Sequence, residues 1–584
     1  MQGSTTFQRR RSRFHGESGQ TTILVVLALG LFLLGFAGLA VDFTSLWFHR
    51  QMAQGAADAA CQAGAMNMLL VAEGAGTPTA GFTPGEPFSC SATPGAVPCK
   101  YAALNGYTAA ALADNVPGNE LQVSFPASVD GVTTPPATAA AVAFMRVDLI
   151  DRVKVFFSPM ITRKPTVDVR AVAVCGVVEA AAPIPIIVLN PTCPHSFQIS
   201  GSASLKVVGG PNKSVQVNSS NTACAAATIN SAGQCAGNGK IDLTQAGFDF
   251  NGSTFGVFGA PAAAPSNFLP GTAGSWASPS SPISDPFARV PAPAIPDKAP
   301  DPSPVAYLEH GCPDHAGCME FKPGRYDAPI VVEHQSAIFE PGLYYIKPTN
   351  FAGADNVDCA KPGSGCTPGP KGKCRASLYV GTGSVVRPSD PVTSPGDGSG
   401  GVTFYLSGSA ATGYGSVVIT SSGSGPGGHT IDPYNTANVI CPGGKPIDSR
   451  VGLPASMSGN VLLGPCTKRG TYIGAPGEEI GTGRGLLIFQ DRANGDQNGQ
   501  SSLQGNGGLV LSGTLYAHNC TGTPCKQPPA DYNAFLQLQG TPGTGTYVLG
   551  EIVADQLNEA GNGDITMQLS PDAILEILKV QLLR

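Results

Sequence analysis

The chain has 584 residues, enough for roughly two to four domains, and a formal net charge of −6 with only 13% charged residues. Gly and Pro make up about a fifth of it, which indicates many short strands joined by tight turns and argues against long helical domains. The weak acidity leaves no positive surface for a phosphate backbone, so we exclude nucleic acid as a partner.

The polar and basic residues 1–18 are predicted to form a tail, and an uncharged apolar run from Thr21 to Val41 follows. As a helix at ~1.5 Å per residue this run is about 31 Å long, which is enough to cross a bilayer core. Four arginines crowd its N-terminal edge between Arg9 and Arg13, whereas the carboxylate of Asp42 follows it. This distribution predicts a single span with a cytoplasmic N-terminus and the bulk of the chain on the other side.

A cleaved signal peptide is the competing interpretation of the apolar run. The run exceeds the ~7–15 residues of a signal-peptide core. The sequence also continues as an Ala-rich helix from Asp42 to Leu70, without a polar segment carrying a small-x-small site directly after the run. We therefore predict an uncleaved anchor helix over residues 19–70.

Three groups of residues carry a resemblance to a known family: Gly19-Gln20, the apolar run that ends at Asp42, and the Ala-rich segment that contains Arg50 and Asp58. They resemble the N-terminal segment of TadG-like proteins (a TadE/G-like segment) of the bacterial tight-adherence (Tad/Flp) pilus assembly systems. Two Asp that bracket an Arg and an Ala-rich helix make this pattern specific, and Cys61 departs from it.

The sequence does not meet the prepilin pattern, so we predict an uncleaved anchor rather than a processed pilin subunit. Major pilins carry Glu at a fixed place after the cleavage site, and cleavage after Gly16 or Gly19 would place Thr21 or Leu24 there. The resemblance also implies a single-pass protein of the bacterial inner membrane, with its C-terminal bulk periplasmic or surface-exposed. Its implied partners are Tad/Flp pilus assembly components.

Residues 71–182 are predicted to form a small α+β membrane-proximal domain. A short helix ends near Gly106, and residues 141–149 and 167–174 alternate like strands. Residues 151–160, which lie between them, are compatible with a helix.

From residue 183 onward, short β-rich segments end in Gly, Asn or Ser, and the first of them follow one another at spacings of roughly eight to ten residues. After the Pro-rich segment the spacing widens to roughly 20 to 60 residues, as expected if long loops interrupt the strands. Gly and Asn suit corners with left-handed backbone angles, and few Asn-Gly hairpin pairs occur, which favours a solenoid over a meander. We predict a mainly β fold with a large right-handed parallel β-helix-like domain, whose first part covers residues 183–258. A Pro-rich linker or insertion, extended or disordered, covers 259–305, and the second part covers 306–584. The last residues, 571–584, are apolar at helical intervals and are predicted to cap the stack.

Sixteen Cys indicate an oxidising compartment. Five pairs lie close in sequence and are candidate disulfides, although spacing does not establish the connectivity. They are Cys90 and Cys99, Cys224 and Cys235, Cys312 and Cys318, Cys366 and Cys374, and Cys520 and Cys525. Cys61, on the Ala-rich helix, is expected to stay unpaired.

The segment from His310 to Cys318 contains two His and two Cys, which are suitable zinc ligands. Its Cys spacing is wider than that of the commonest zinc knuckle, so a Cys312–Cys318 disulfide with two solvated His is favoured. A calcium loop after Asp491 lacks the Gly and the distal Glu of an EF-hand, and turn chemistry accounts for its polar residues equally well. We predict no metal site and no cofactor.

A solenoid raises the prospect of a polysaccharide lyase, which would need clustered carboxylates and a basic side chain. The loop residues that could serve show no spacing that would bring them together, so we predict that the chain is not an enzyme. These residues are Asp390, Asp397, Asp432 and Asp448, with Arg387 and Arg450 nearby.

Three glycines of the span, Gly30, Gly35 and Gly38, together with the small residues of 53–60, are a candidate interface for another helix. The alternative is that the helix is only a tether.

The sequence thus predicts a membrane-anchored, non-catalytic component of Tad/Flp pilus assembly or surface adhesion, which presents a disulfide-pinned β-helical domain outside the inner membrane. Membrane lipid and a surface or polysaccharide ligand are further expected partners. The alternatives are a membrane-anchored carbohydrate-active β-helix enzyme and a structural envelope protein.

Overall fold

The chain divides into two compact units. The first, here the N-terminal unit, comprises Met1–Glu179 and Leu578–Arg584, and the second, here the β unit, comprises Ala180–Ile577. The computed structural model describes residues 18–72, 81–108, 112–132, 134–135, 140–181, 184–229, 235, 237–288, 290–359, 372–389, 402–409, 413–421, 425–436, 448–457, 461–463, 486–493, 500–505, 508–522, 524–528, 530–540, 545–561, 564–568 and 576–583.

The N-terminal unit begins with a 55-residue helix, α1 (Ser18–Ala72), which contains no proline. Its first half exposes large apolar side chains on every side, for example Leu34 at 71%. Burial of such a surface requires an apolar surrounding, and the most apolar part of the helix has a mean hydropathy of 2.7. One apolar helix near the N-terminus therefore fits a single-pass membrane anchor, as the sequence predicts.

The second half of α1 packs on an antiparallel sheet. The elements of the unit that follow α1 are β1 (Phe88–Ser89), α2 (Val97–Leu104), β2 (Gly118–Ser124), β3 (Phe144–Lys154), α3 (Pro159–Thr162) and β4 (Thr166–Ala181). They form the order β1-β2-β3-β4, with Leu121 opposite Leu149 and Val147 opposite Ala173. Side chains alternate between the faces of a strand, so Val147 and Leu149 share the face that packs with the buried alanines of α1.

Small residues on α1 permit this close packing. Ala53, Ala56, Ala57 and Ala60 are fully buried. At Gly64, a Cβ would overlap the Sδ atom of Met145. The helix therefore lies against the sheet at a distance that larger side chains would prevent.

Two expectations for the N-terminal unit are wrong. Residues 151–154 continue strand β3, because their side chains still alternate between buried and exposed, and only Pro159–Thr162 is helical. Cys61 is not unpaired, because it forms a disulfide with Cys175 of β4. This bond joins α1 to the sheet across 114 residues of sequence.

The β unit contains 35 strands among its described residues. They are β5 (Ile186–Val188), β6 (Phe197–Ser200), β7 (Ser204–Gly209), β8 (Lys213–Val217), β9 (Ala226–Ile229), β10 (Lys240–Ala246), β11 (Thr254–Val257), β12 (Phe268–Leu269), β13 (Trp276–Ala277), β14 (Ser303–Val305), β15 (Cys318–Phe321), β16 (Gly324–Tyr326), β17 (Ile330–Val332), β18 (Ser336–Phe339), β19 (Gly342–Ile346), β20 (Val357–Cys359), β21 (Gly372–Cys374), β22 (Ala376–Val380), β23 (Val385–Pro388), β24 (Val402–Leu406), β25 (Gly408–Ser409), β26 (Gly413–Tyr414), β27 (Ser416–Ser421), β28 (Tyr434–Asn435), β29 (Ser456–Met457), β30 (Val461–Leu463), β31 (Leu486–Gln490), β32 (Ser501–Gly505), β33 (Leu509–Ser512), β34 (Thr514–Ala517), β35 (Phe535–Gly540), β36 (Thr546–Leu549), β37 (Ile552–Ala554), β38 (Gln556–Gly561) and β39 (Asp564–Gln568).

Most of these strands form three sheets of eleven, ten and eight strands, which confirms a mainly β fold. Within the three sheets the neighbouring strands are parallel, except for β14 at one edge. Successive strands enter different sheets: β5 belongs to the ten-stranded sheet, β6 to the eight-stranded sheet and β7 to the eleven-stranded sheet. The chain then returns to the first sheet, where β8 pairs with β5.

The order of strands in the sheets is not the order in the chain. Strands β5, β8, β11 and β13 extend the ten-stranded sheet in one direction, and the strands from β16 to β37 approach β5 from the other. The last strands therefore pair with the first: Ile552 lies opposite Ile186, Leu557 opposite Phe197, and Ile565 opposite Leu205. Residues 183–258 and 306–584, which the sequence divides, thus contribute to the same sheets.

The Pro-rich segment 259–305 contributes the edge strands β12, β13 and β14, and its part around Phe287 lies against the ten-stranded sheet. Phe287 is fully buried, and its ring contacts the ring of Tyr516 at 5.5 Å between centroids. The hydroxyl of Tyr516 donates a hydrogen bond to Asp285 at 2.6 Å, and the guanidinium of Arg492 donates to the carbonyl of Val290 at 2.8 Å. The segment therefore covers one face of that sheet.

The predicted C-terminal cap is wrong. The last strand, β40 (Glu576–Leu582), lies beside β4 in the five-stranded sheet of the N-terminal unit. Leu578, Val580 and Leu582 pack against the core of that unit. Their spacing of two residues places them on one face of a strand, whereas the sequence analysis assigns helical intervals to the apolar residues of this segment. Residues 571–575, which are the first part of the expected cap, lie outside the described residues.

The disulfide between Cys61 and Cys175 should stabilise the N-terminal unit more than the disulfide between Cys90 and Cys99. The chain-entropy model predicts a loss of about 4–5 kcal/mol for a loop of this length, against about 3 kcal/mol for the short one. We expect Cys61→Ala/Cys175→Ala to lower the free energy of opening of β3 by about this larger amount. Hydrogen exchange of the full chain in lipid nanodiscs measures the change. An equal or smaller loss than that of Cys90→Ala/Cys99→Ala would contradict this assignment.

The buried carboxyl of Glu559 should make the β unit less stable as the pH rises. Neither of its oxygens has a hydrogen-bond partner among the described residues, and burial raises its pKa to about 8 from 4.5. The folded chain holds the proton that the unfolded chain releases between pH 4.5 and about 8, so stability falls across this window and changes little outside it.

Glu559→Gln should therefore leave the stability below pH 4.5 nearly unchanged and raise it above pH 8, by about 5 kcal/mol. Urea unfolding followed through Trp276 fluorescence measures this difference. The exposed Glu333→Gln is the matched control and should keep the pH dependence of the unmodified chain, because it retains Glu559. The same pH slope in the Glu559→Gln variant and the unmodified chain would contradict the assignment.

Candidate functional site

The candidate functional site is the joint where the apolar half of α1 meets the folded part of the N-terminal unit. Asp42 lies there and is buried, with 2% of its surface exposed. Its carboxylate accepts hydrogen bonds from the backbone N–H groups of Phe156, Phe157 and Ser158 at 2.9, 2.9 and 2.7 Å, and from the hydroxyl of Ser158 at 2.6 Å. Hydrogen bonds to a charged acceptor are stronger than neutral ones, so this single side chain holds the turn after β3 against the helix.

Farther along α1, His49 binds the same strand. Its Nδ1 atom lies 2.8 Å from a carboxylate oxygen of Asp151, and the hydroxyl of Tyr107 lies 3.4 Å from the same oxygen. Burial and the neighbouring Asp151 carboxylate raise the pKa of Tyr107 to about 12, so its hydroxyl stays protonated beyond the pH at which an ordinary tyrosine ionises. These three side chains link α1, β3 and the segment after α2.

Asp58 acts through Gln54. The side-chain amide of Gln54 donates to Asp58 at 2.8 Å and to the backbone carbonyl of Val172 in β4 at 2.9 Å. Arg50, the third residue of the family pattern, is exposed. Of the three, Asp42 and Asp58 therefore contribute to the attachment of α1 to the sheet.

The three glycines of the span differ in their surroundings. A Cβ at Gly30 or Gly35 would meet no atom within 4 Å, so the interface with another helix stays a prediction there. A Cβ at Gly38 would lie 2.5 Å from the Cδ1 atom of Phe157. Gly38 thus makes room for an aromatic ring of the same chain.

The joint uses residues that the sequence did not single out. Phe156, Phe157 and Ser158 supply the groups that bind Asp42, and His49 and Gln54 bind the sheet. The available signal was the Phe-Phe-Ser-Pro run directly after an alternating strand, since Ser-Pro favours a turn there. Its partner across more than a hundred residues could not be inferred from local pattern.

The His310–Cys318 segment does not assemble a site of two His and two Cys. Cys312 and Cys318 form a disulfide, and the His315 Nε2 atom lies 3.2 Å from Asp432. His310 binds Glu320. The ammonium of Lys322 lies 3.7 Å from Glu320, so a protein cation already occupies the neighbourhood of this carboxylate.

The remaining predicted disulfides are placed as follows. Cys90 joins Cys99, Cys224 joins Cys235, and Cys520 joins Cys525. Cys374 is disulfide-bonded, but Cys366 lies outside the described residues, so their pairing stays a prediction.

Of the residues considered for a lyase, those that the structure describes bind their own neighbours or are buried. Asp432 accepts a hydrogen bond from the hydroxyl of Tyr307 at 2.6 Å. Asp448 accepts from the backbone N–H of Arg450 at 2.9 Å, and Arg387 is buried. Asp390 and Asp397 lie outside the described residues, as do residues 494–498 of the considered calcium loop.

A further cluster surrounds the Cys520–Cys525 disulfide. The Nδ1 atom of the buried His518 lies 2.5 Å from Asp555, and its Nε2 atom lies 3.8 Å from the sulfur of Cys525. Burial opposes the charge of His518, but the Asp555 carboxylate raises its pKa. Asp555 also accepts hydrogen bonds from the backbone N–H groups of Asn519 and Ala534, so it joins three segments of the β unit.

Comparison with known proteins assigns a family to the segment that forms the joint. Residues 19–67 match the Tad family model, described as Flp pilus-assembly TadE/G-like. The N-terminal segment of the chain is therefore TadE/G-like, which confirms the resemblance seen in the sequence. No curated protein and no solved structure matches the chain.

Asp42→Asn should release the turn at residues 156–158. Asparagine keeps one oxygen acceptor but loses the negative charge. Its side-chain NH2 group would also face the backbone N–H groups of the turn, which need an acceptor. We expect local opening to become easier by about 2–3 kcal/mol, which is roughly a 30- to 150-fold faster amide exchange at these residues.

Hydrogen exchange of the full chain in lipid nanodiscs measures this effect. Asp148→Asn is the matched control, because it breaks an exposed pair with Arg146 that contributes about 1 kcal/mol at most. Unchanged exchange at residues 156–158 in the Asp42→Asn variant would show that the carboxylate does not hold the turn.

Proposed function

We propose that the chain is a membrane-anchored, non-catalytic component of Tad/Flp pilus assembly or surface adhesion. The observation that carries this proposal is the match of residues 19–67 to the TadE/G-like family, over a helix that continues from an exposed apolar half into a half built into a folded unit. In this role the helix anchors the protein and the β unit provides a large surface for partners.

The proposed form of the β unit is a right-handed parallel β-helix. The passage of successive strands through three parallel sheets, and the pairing of β5 with β8 after one passage, support it. Crossovers between parallel strands are right-handed in about 98% of cases. Such a stack is rigid, because each layer hydrogen-bonds to the next, and its exposed loops would bind pilus assembly components or a surface polysaccharide.

The proposed location is the bacterial inner membrane, with the N-terminus in the cytoplasm and the folded units in the periplasm or at the surface. The arginines before the span support this orientation. The disulfides of both units support an oxidising compartment. A non-catalytic role is supported by the described polar clusters around His310 and His518, whose groups bind one another.

A gene deletion tests the proposal. We expect loss of sheared pili in electron micrographs and loss of surface adhesion, and both should return with the full-length chain. A shortened chain in which a Gly/Ser linker replaces residues 183–575 should not restore them, and it retains β40 because that strand belongs to the sheet of the N-terminal unit. Immunoblots of the membrane fraction control for its accumulation.

Each result has a defined meaning. If the shortened chain restored pili but not adhesion, the β unit would be assigned to attachment. Unchanged pili and adhesion in the deletion strain would overturn the proposed function, and a carbohydrate-active or structural envelope role would then be tested on the purified chain.

A further inference from the structure

We infer that the turn Phe156–Ile161 inserts its apolar side chains into the membrane next to the anchor, and that the cations beside it contact lipid phosphate groups. The proposed ligand is an anionic phospholipid surface, in the leaflet on the side of the folded unit. This inference rests on the proposed membrane anchor, and the experiment below distinguishes failure of the anchor from failure of the turn.

The first observation is the exposure of apolar side chains in the turn. Phe156, Met160 and Ile161 are 64%, 84% and 74% exposed, and Phe157 is 40% exposed. Single exposed apolar residues are common, but four large ones within six positions form a patch that water would solvate poorly. The patch is in the N-terminal unit, on the turn that binds α1.

The second observation is the position of the turn beside the last residues of the apolar run of α1. The ring of Phe157 lies against Gly38, which is inside the apolar run, and the backbone of residues 156–158 is bound to Asp42. Gly38 precedes Asp42 by four residues, or about 6 Å along a helix. If Asp42 lies at the edge of the hydrocarbon core, Phe157 reaches to the depth of ~5–10 Å that interfacial apolar groups occupy.

The third observation is the distribution of charged and aromatic side chains around the turn. Lys154, Arg163 and Lys164 flank it and are exposed, and the Lys154 ammonium lies 5.5 Å from the centre of the Phe156 ring. On α1, Trp47 and Phe48 are exposed just beyond Asp42. Basic side chains next to exposed apolar ones, with aromatic side chains nearby, are typical of segments at the lipid headgroups.

A second contact with the membrane has a mechanical consequence. A single helix can rotate about its own axis and tilt in a bilayer. A turn that is bound to the helix through Asp42 and is also inserted beside it prevents both motions. The folded unit is thereby held at a defined height and orientation above the lipid surface.

Tryptophan fluorescence with brominated lipids tests the insertion. The chain has two Trp, so Trp47→Phe/Trp276→Phe is a background without tryptophan fluorescence. Into this full-length background, Met160→Trp, Phe36→Trp and Leu104→Trp are introduced separately. Each variant is reconstituted into vesicles of phosphatidylcholine and phosphatidylglycerol with bromine near the top of the acyl chains.

We expect bromine to quench Met160→Trp and Phe36→Trp to a similar extent and to leave Leu104→Trp unaffected. Leu104 is 80% exposed and belongs to α2, whose Pro98 lies beside Gly64, far beyond Asp42 along α1. Quenching of Phe36→Trp without quenching of Met160→Trp would overturn the insertion of the turn. No quenching of Phe36→Trp would overturn the anchor itself.

The role of the cations is tested separately. Arg163→Gln/Lys164→Gln should lower the enrichment of phosphatidylglycerol over phosphatidylcholine among lipids that remain bound to the purified chain by several-fold, as counted by native mass spectrometry. Arg146→Gln is the control, because Arg146 is exposed but paired with Asp148, and it should not change the enrichment. Unchanged enrichment in the double variant would overturn the phosphate contacts.

Discussion

The carboxylate of Asp42 is the interaction on which the arrangement of the N-terminal unit depends. It stands at the end of an uncharged run, where an unpaired charge would be costly, and it is satisfied by three backbone N–H groups and one hydroxyl from a single turn. The same hydrogen bonds therefore stabilise the charged carboxylate at the end of the apolar run and attach the turn after β3 to the helix. Before Asp42, α1 exposes large apolar side chains, which fits a membrane anchor, and after Asp42 the segment Ala53–Met68 is packed into a core. The bonds of Asp42 therefore couple the apolar half of α1 to the folded part of the N-terminal unit.

The β unit depends on a different constraint, the pairing of its last strands with its first. Ile186 and Ile552 are neighbours in one sheet although 366 residues separate them in the chain. Strands β5 to β7 therefore obtain their second partners only after β37 to β39 are made, and contacts of such sequence separation form slowly. In each of the three sheets this pairing joins two strand edges that would otherwise be unpaired. At the end formed by β12 and β13, the final strands are only two residues long, which limits the exposed edge.

Two buried carboxylates join segments of the β unit among the residues that the structure describes. Asp555 joins His518, Asn519 and Ala534, and Asp314 joins Ser336 and His429. In each case the carboxylate lies at the meeting point of segments that are distant in sequence.

Local physics made part of this protein predictable from its sequence alone. The absence of charge from Thr21 to Val41 determined the apolar helix, the alternation of residues 167–174 indicated a strand, and the short spacing of Cys90 and Cys99 or of Cys312 and Cys318 identified disulfides. Only the tertiary structure decided the partners of Asp42, the bond of Cys61 to Cys175, the place of β40 beside β4, and the junction of β37 with β5. The physical reason is that composition and periodicity report which face of a segment is buried. They carry no information about which of many similar segments, more than a hundred residues away, will cover it.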